Sequence, residues 1–167
     1  MLVGLPGSGK TTVGQLVAQR LQAGFVDIDA ILTRREGKPI TLIFAEKGEA
    51  AFRDMERKEM DTALGSAPAV IAPGGGWAAQ PGALAAAKSR ALVIYLRTRP
   101  ETAAQRAAPE GTRPMLKGED PVTRMRQLHK ERDAQYGEAH VAVDTDRRTA
   151  QQVAIEVVRL AQSSAGW

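Results

Sequence analysis

The sequence predicts an α/β domain in three layers, with a central parallel sheet of about five strands and helices on both faces. Three observations carry that expectation. Short apolar runs rich in β-branched residues alternate with longer segments of helical periodicity, the pattern of parallel strands joined by crossover helices. A glycine-rich stretch from Gly4 to Thr12 lies between the first apolar run and the first helical one. The 167 residues suffice for one well-filled core and are few for two, and neither a repeat nor a linker divides residues 1–167.

The elements follow in order. Residues 1–4 supply only the end of a strand. Residues 10–22 place Val13, Leu16, Val17 and Leu21 at helical spacing. FVDID (25–29) reads as a short buried strand ending in acid. Residues 30–36 and 41–47 are helical, with Gly37 and Pro39 breaking between them, and 48–65 form a long amphipathic helix closed by Gly65. PAVIAPGGGW (68–77) is an apolar strand running into three glycines, and 82–89 fit a helix. RALVIYLRT (90–98) is a strong strand, after which Pro100 opens a helix to about Ala107. Pro109, Gly111, Pro114, Gly118 and Pro121 then fall among charges, so residues 108–121 are expected to form a mobile lid; so long a loop inside a compact domain is usually functional. A helix at 121–138, a strand at 140–145 and a helix at 149–162 complete the domain. In such a sheet the ligand sits beyond the carboxyl ends of the strands.

Composition narrows the function classes. Aromatic residues are 4% of the chain, so the core is built from Ala, Val, Leu and Ile. The absence of cysteine rules out disulfides and Cys-based zinc sites and suits a reducing cytoplasm. His129 and His140 are too few and too badly spaced for a histidine metal site. No apolar run reaches membrane-spanning length and no signal peptide is visible, so a cytoplasmic protein without membrane contact is expected. The net charge is +4. The basic clusters lack interleaved aromatics for base stacking, so arginines facing small anionic ligands explain that charge better than nucleic acid does.

Gly4, Gly9, Lys10 and Thr11 fit G-x-x-x-x-G-K-[ST] between a strand and a helix. Glycines let backbone N–H groups converge on phosphate oxygens, and the following helix adds its positive end. Gly7, Ser8, Gly9, Lys10, Thr11 and Thr12 are thus expected to hold a nucleoside triphosphate, with Lys10 on the β- and γ-phosphates and the Thr11 hydroxyl on magnesium. Asp27 and Asp29, two apart on the expected strand, would share one face beside this cradle; Asp29 could equally cap the following helix. Near a magnesium nucleotide, one carboxylate suits the metal shell and the other the proton of an attacking hydroxyl. Arg53 and Glu56, three apart on a helix, are either a surface ion pair or a pair in which Glu56 orients Arg53 to grip a carboxylate. Gly74-Gly75-Gly76 suggests close approach of backbone to a ligand. Arg113, in the expected lid, is placed to stabilise charge on a transferring phosphoryl group. Arg132 and Tyr136 share one helix face, where packing is the plainer reading.

These residues together resemble the shikimate kinase family of P-loop kinases. The resemblance runs from Gly4 to about Arg148 and rests on GxxxxGKT (4–11), D-x-D (27–29), FRxxE (52–56), GGG (74–76), RPxL (113–116) and RxxxY (132–136). It implies the P-loop kinase fold, ATP and Mg2+, phosphorylation of the 3-hydroxyl of shikimate, and a monomer. It also implies roles: Asp29 as base and ligand to the acceptor hydroxyls, Asp27 in the magnesium shell with Thr11, and Arg53, Arg132 and Gly74–Gly76 on the acceptor. Arg113 would close over the phosphates, with Arg106 and Arg148 on the adenine side. The chain departs from the family in four places. Ala72-Pro73 stand where Ser or Thr often precedes the glycines, Trp77 follows them, Ala150 replaces a proline of some relatives, and the first strand is short. Trp77 either packs or narrows the acceptor site. Another small-metabolite kinase such as a gluconate kinase, and a nucleotide-binding module that has lost its chemistry, remain as alternatives.

Overall fold

A computed structural model describes residues 1–107 and 120–166. β1 (Leu2–Val3) leads through the glycine-rich turn into α1 (Lys10–Leu21), and β2 (Gly24–Asp27) runs directly into α2 (Ile28–Glu36), followed by α3 (Ile40–Gly65). β3 (Ala69–Ala72) precedes α4 (Ala83–Lys88), and β4 (Ile94–Arg97) precedes α5 (Pro100–Ala107). α6 (Pro121–Tyr136), β5 (Val141–Asp144) and α7 (Ala150–Ser164) follow.

Every strand pairing is parallel. β4 lies between β1 and β5, with Leu2 opposite Ile94 and Ile94 opposite Val141, while β2 pairs with β3, with Asp27 opposite Ala72. The two hydrogen-bonded sets meet where β3 lies beside β1. Alternation along the strands makes the two core layers, since successive side chains point to opposite faces. Leu2, Val70, Ile94, Leu96 and Val143 pack on Val13 and Val17 of α1 and Val153 and Val157 of α7. Val3, Ile71 and Tyr95 face the other way, onto Ile28 and Leu32 of α2, Phe52 and Met60 of α3, and Met125, Leu128 and Tyr136 of α6.

Three boundaries differ from expectation. The strand expected over 25–29 ends at Asp27, because the Asp27 side chain accepts the Ala30 N–H (3.1 Å) and so caps α2. The strand expected over 68–77 stops at Ala72, since Pro73 has no N–H for the ladder. The strand expected from 90 begins at Ile94, because the N–H groups of Arg90 and Ala91 both bond to the Ala87 carbonyl and finish α4. The break expected near 47–48 is present: Gly48 takes a left-handed φ of 79° and divides α3 in two. Asp120 caps α6, accepting the Thr123 N–H at 2.9 Å, with Pro121 in the first turn.

Candidate active site

The carboxyl ends of the strands carry two cavities that meet at Lys10 and Thr11. The smaller, about 300 Å³, lies between residues 7–13 and a group of Arg106, Thr145, Arg148 and Ala150. Gly7 and Gly9 have φ of 79° and 95°, and a Cβ on Gly7 would collide with the Ala103 carbonyl of α5. Gly9 caps α1 without a side chain, and no acid stands in the first turn, so the orphan N–H groups there are left to an anion. Ser8 Oγ is buried with no hydrogen-bond partner among the described residues. Lys10 Nζ donates to the Gly4 and Leu5 carbonyls (2.9 and 2.8 Å), which holds the ammonium over the loop. Opposite, Arg106 is anchored on Thr145, donating to its Oγ1 (3.0 Å) and carbonyl (2.9 Å), and Thr145 shares a 2.6 Å hydroxyl contact with Thr98 at the end of β4. Arg148 donates to the Asp144 carbonyl and pairs with Glu156 at 2.7 Å.

The acid pair is built differently from the expectation. Asp27 and Asp29 do not share a strand face: Asp27 is the cap of α2 and Asp29 lies in its first turn. Both still line the larger cavity, because α2 starts where β2 ends. The cap is Asp27, not Asp29. Its Oδ1 takes the Ala30 N–H, and its Oδ2 accepts from the Thr11 hydroxyl at 2.9 Å.

The larger cavity, about 780 Å³, is lined by both acids, by Arg53 and Glu56 of α3, by residues 72–76 at the end of β3 and just after it, and by Arg132 of α6. Arg53 Nη1 meets Glu56 Oε2 at 2.6 Å. This is no surface pair, since the Glu56 side chain is 1% exposed and that of Arg53 is 18%. Burial pushes the Glu56 carboxyl up to about 7; Arg53 and Arg132 oppose the rise, and Asp29 adds to it. The Arg53 guanidinium also lies 5.6 Å from the centroids of Phe44 and Phe52, which fixes its plane.

Two of the three glycines have a concrete cause. A Cβ on Gly74 would stand 2.5 Å from Glu56 Oε1 and 2.8 Å from Asp29 Oδ1, and one on Gly76 would stand 2.6 Å from Arg53 Nη2. The close approach read from sequence is therefore made by the chain's own carboxylates and guanidinium, pressed against bare backbone.

The structure thus gathers the residues expected on each side. Gly7, Ser8, Gly9, Thr12, Arg106 and Arg148 surround the smaller cavity, and Asp29, Arg53, Gly74–Gly76 and Arg132 the larger. Arg113 and residues 108–119 of the expected lid lie outside the described residues. Trp77 is buried in the core and does not line the acceptor cavity, which decides for packing. Sequence reasoning missed Phe44, Phe52, Arg124 and Glu131 as lining residues. Helical phase could have found two of them: Phe52 stands one turn before Glu56 on α3, and Arg124 two turns before Arg132 on α6. A further cavity of about 820 Å³ lies at the amino ends of the strands, against Leu2, Val70, Leu92 and Val141, away from the phosphate cradle and the acids. Among the described residues no His/Cys/Asp/Glu cluster of three or more could hold a metal alone.

The chain is similar to known proteins in sequence and in fold. The family model described as shikimate kinase matches residues 6–162. A curated shikimate kinase from Symbiobacterium thermophilum is 41% identical over 165 residues, spanning 97% of this chain and 95% of its own length. The solved shikimate kinase from Acinetobacter baumannii in complex with shikimate superposes with a TM-score of 0.91 at 36% identity, covering 97% of this chain and 91% of that one. A gluconokinase from Sinorhizobium meliloti reaches 0.66 at 18% identity, covering 99% and 92%, a likeness of fold alone.

Proposed function

The chain belongs to the shikimate kinase family and phosphorylates shikimate, and we propose that it transfers the γ-phosphoryl group of ATP to the 3-hydroxyl, releasing ADP and shikimate 3-phosphate. The observation that carries the reading is the junction of the cavities. Lys10 and Thr11, which serve the phosphate cradle, also line the cavity holding Asp29, Arg53 and Arg132. A donor phosphate and an anionic polyol therefore meet at one lysine.

Arg53, held by Glu56 and the two phenylalanines, and Arg132 grip the acceptor carboxylate, for which a planar guanidinium is suited. The Gly74–Gly76 backbone closes on the ring, and Asp29 orients the hydroxyl. The reaction is an in-line displacement. As the bond from the 3-oxygen to the γ-phosphorus forms and the bridging bond to ADP breaks, the hydroxyl proton passes to the Asp29 carboxylate. Lys10 leaves the Gly4 and Leu5 carbonyls for the phosphate oxygens, where its charge offsets what develops in transfer. Arg106 and Arg148 border the adenine side. Thr11 and Asp27 offer two hard oxygens 2.9 Å apart beside the cradle, without nitrogen or sulfur, a set that fits Mg2+ completing its shell from phosphate and water. Bound there, Mg2+ would neutralise charge on the phosphate oxygens.

The same reading takes residues 1–167 as one catalytic domain, acting as a cytoplasmic monomer on a small molecule without nucleic acid or membrane. No described helix is long and apolar enough to cross a membrane. The test is ADP release from ATP and Mg2+ with shikimate, gluconate and nucleoside monophosphates offered separately. Release with shikimate is expected; turnover of gluconate at an equal or greater rate would overturn the assignment.

A further inference from the structure

Tyr136 is the one residue of the RxxxY motif whose chemistry the reaction above leaves unused. It is fully buried at the end of α6, 61 residues from the triple glycine, yet its hydroxyl donates to the Gly75 carbonyl at 2.6 Å. The same hydroxyl is reached by the guanidinium of Arg132, one helical turn earlier. Gly75 is wedged on its other side. A Cβ there would stand 3.3 Å from Pro6, which lines the same larger cavity, and 3.6 Å from Arg132 Nη1. The Tyr136 ring is itself fixed by Tyr95 of β4, with centroids 5.3 Å apart, and the Tyr95 hydroxyl donates to Asp133 Oδ1 at 3.0 Å. One phenol thus ties three parts of the acceptor side together: the glycine turn after β3, the carboxylate-gripping arginine of α6, and the sheet behind both.

We propose that Tyr136 is a positioning residue for the acceptor, its buried hydroxyl holding the Gly75 carbonyl away from the cavity and steadying Arg132. A peptide unit whose carbonyl is held has its orientation held, so the N–H of Gly76, in the same peptide plane as the Gly75 carbonyl, is fixed with it. The turn closes on one backbone bond, the Trp77 N–H to the Gly74 carbonyl at 3.1 Å, and has no side chains of its own to hold the Gly75 carbonyl, which the Tyr136 hydroxyl holds from outside. Burial raises the Tyr136 pKa, which keeps the phenol protonated and a donor through the working range. None of these contacts involves the residues around the smaller cavity.

The proposal rests on the reading that Gly74–Gly76 and Arg132 face shikimate, and the experiment separates the two. Wild type, Tyr136→Phe and Tyr95→Phe are compared by steady-state kinetics with each substrate varied. Phe keeps the buried ring and deletes only the hydroxyl. The expected result for Tyr136→Phe is a KM for shikimate raised about three- to tenfold, the range of one buried hydrogen bond, with the KM for ATP within about twofold. Tyr95→Phe, which keeps the ring packed on Tyr136 and loses only the hydroxyl bond to Asp133, away from the glycine turn, is expected to leave both values within about twofold. Equal rises in both KM values, or no rise for shikimate, would overturn the role. A wild-type enzyme inactive on shikimate would instead overturn the function it rests on. A second measurement needs no folded mutant of Tyr136. The chain has two tyrosines, so 3-fluorotyrosine labelling yields two fluorine signals, assigned with Tyr95→Phe. The Tyr136 signal is expected to shift with shikimate and not with nucleotide alone, and a signal unmoved by saturating shikimate would overturn the proposal.

Discussion

The smaller cavity, proposed for the nucleotide, and the larger, proposed for the acceptor, share a lysine and little else in the way they are made. The first is largely one contiguous stretch, residues 7–13, whose working groups are backbone N–H donors at the start of α1. The second is assembled from side chains on α2, α3, α6 and the turn after β3, and its polarity comes from buried charges set against each other. A cradle of backbone tolerates changes of neighbouring side chains as long as its glycines remain. A cavity of opposed charges does not, because removing one partner leaves the other buried and uncompensated. On the proposed reading the backbone cradle would suit any polyphosphate, whereas the charge constellation would select the acceptor.

The largest expected effect breaks the junction. Lys10→Ala removes the only charged side chain among the described residues that lines both cavities, and should lower kcat at least about a hundredfold while the fold survives, as read by ADP release and circular dichroism. Near-normal turnover in a folded variant would end the assignment. Next comes the acceptor side alone. Arg132→Ala should weaken shikimate binding by about 2–5 kcal/mol, the cost of deleting one member of a buried charged pair, with ATP affinity little changed. The opposite pattern by calorimetry would reverse the roles given to the two cavities.

The smallest effect sharpens the comparison through pH. Folded Glu56 holds its proton up to about pH 7, well above the ordinary carboxyl value of 4.5. Between those values the folded state binds more protons than the unfolded one, so this group's contribution to stability falls as pH rises from about 4.5 to 7. In the proposed site shikimate would add an anion and engage Arg53 and Arg132, the two cations that favour ionised Glu56. Its binding should therefore raise the Glu56 pKa further and take up a fraction of a proton near pH 7. Calorimetry in buffers of different ionisation heat should detect the uptake, and Glu56→Gln should abolish it; nucleotide binding should show none from this group.

The same division explains what was legible in advance. The strand–helix alternation, the three layers and the break at Gly48 follow from residue periodicity and glycine placement, both local properties of the chain. The P-loop was readable for the same reason: its parts are neighbours in sequence and its chemistry is that of the backbone. On the acceptor side, composition and order marked Asp29, Arg53, the glycines and Arg132, but not their geometry. The strand face supposed for Asp27 and Asp29 proved to be a helix cap and first turn, because an Asp side chain competes successfully for the orphan N–H at a helix start.

By itself the sequence determined the fold class, the phosphate cradle and the residue types that name an anionic acceptor, all through patterns a few residues long. Only the tertiary structure decided that Glu56 is buried, that Trp77 turns into the core, that Gly74 and Gly76 yield to Asp29, Glu56 and Arg53, and that Tyr136 reaches Gly75. The reason is physical. Burial, opposed charge and a hydrogen bond across 61 residues depend on what packs against a group, and local spacing does not contain that information.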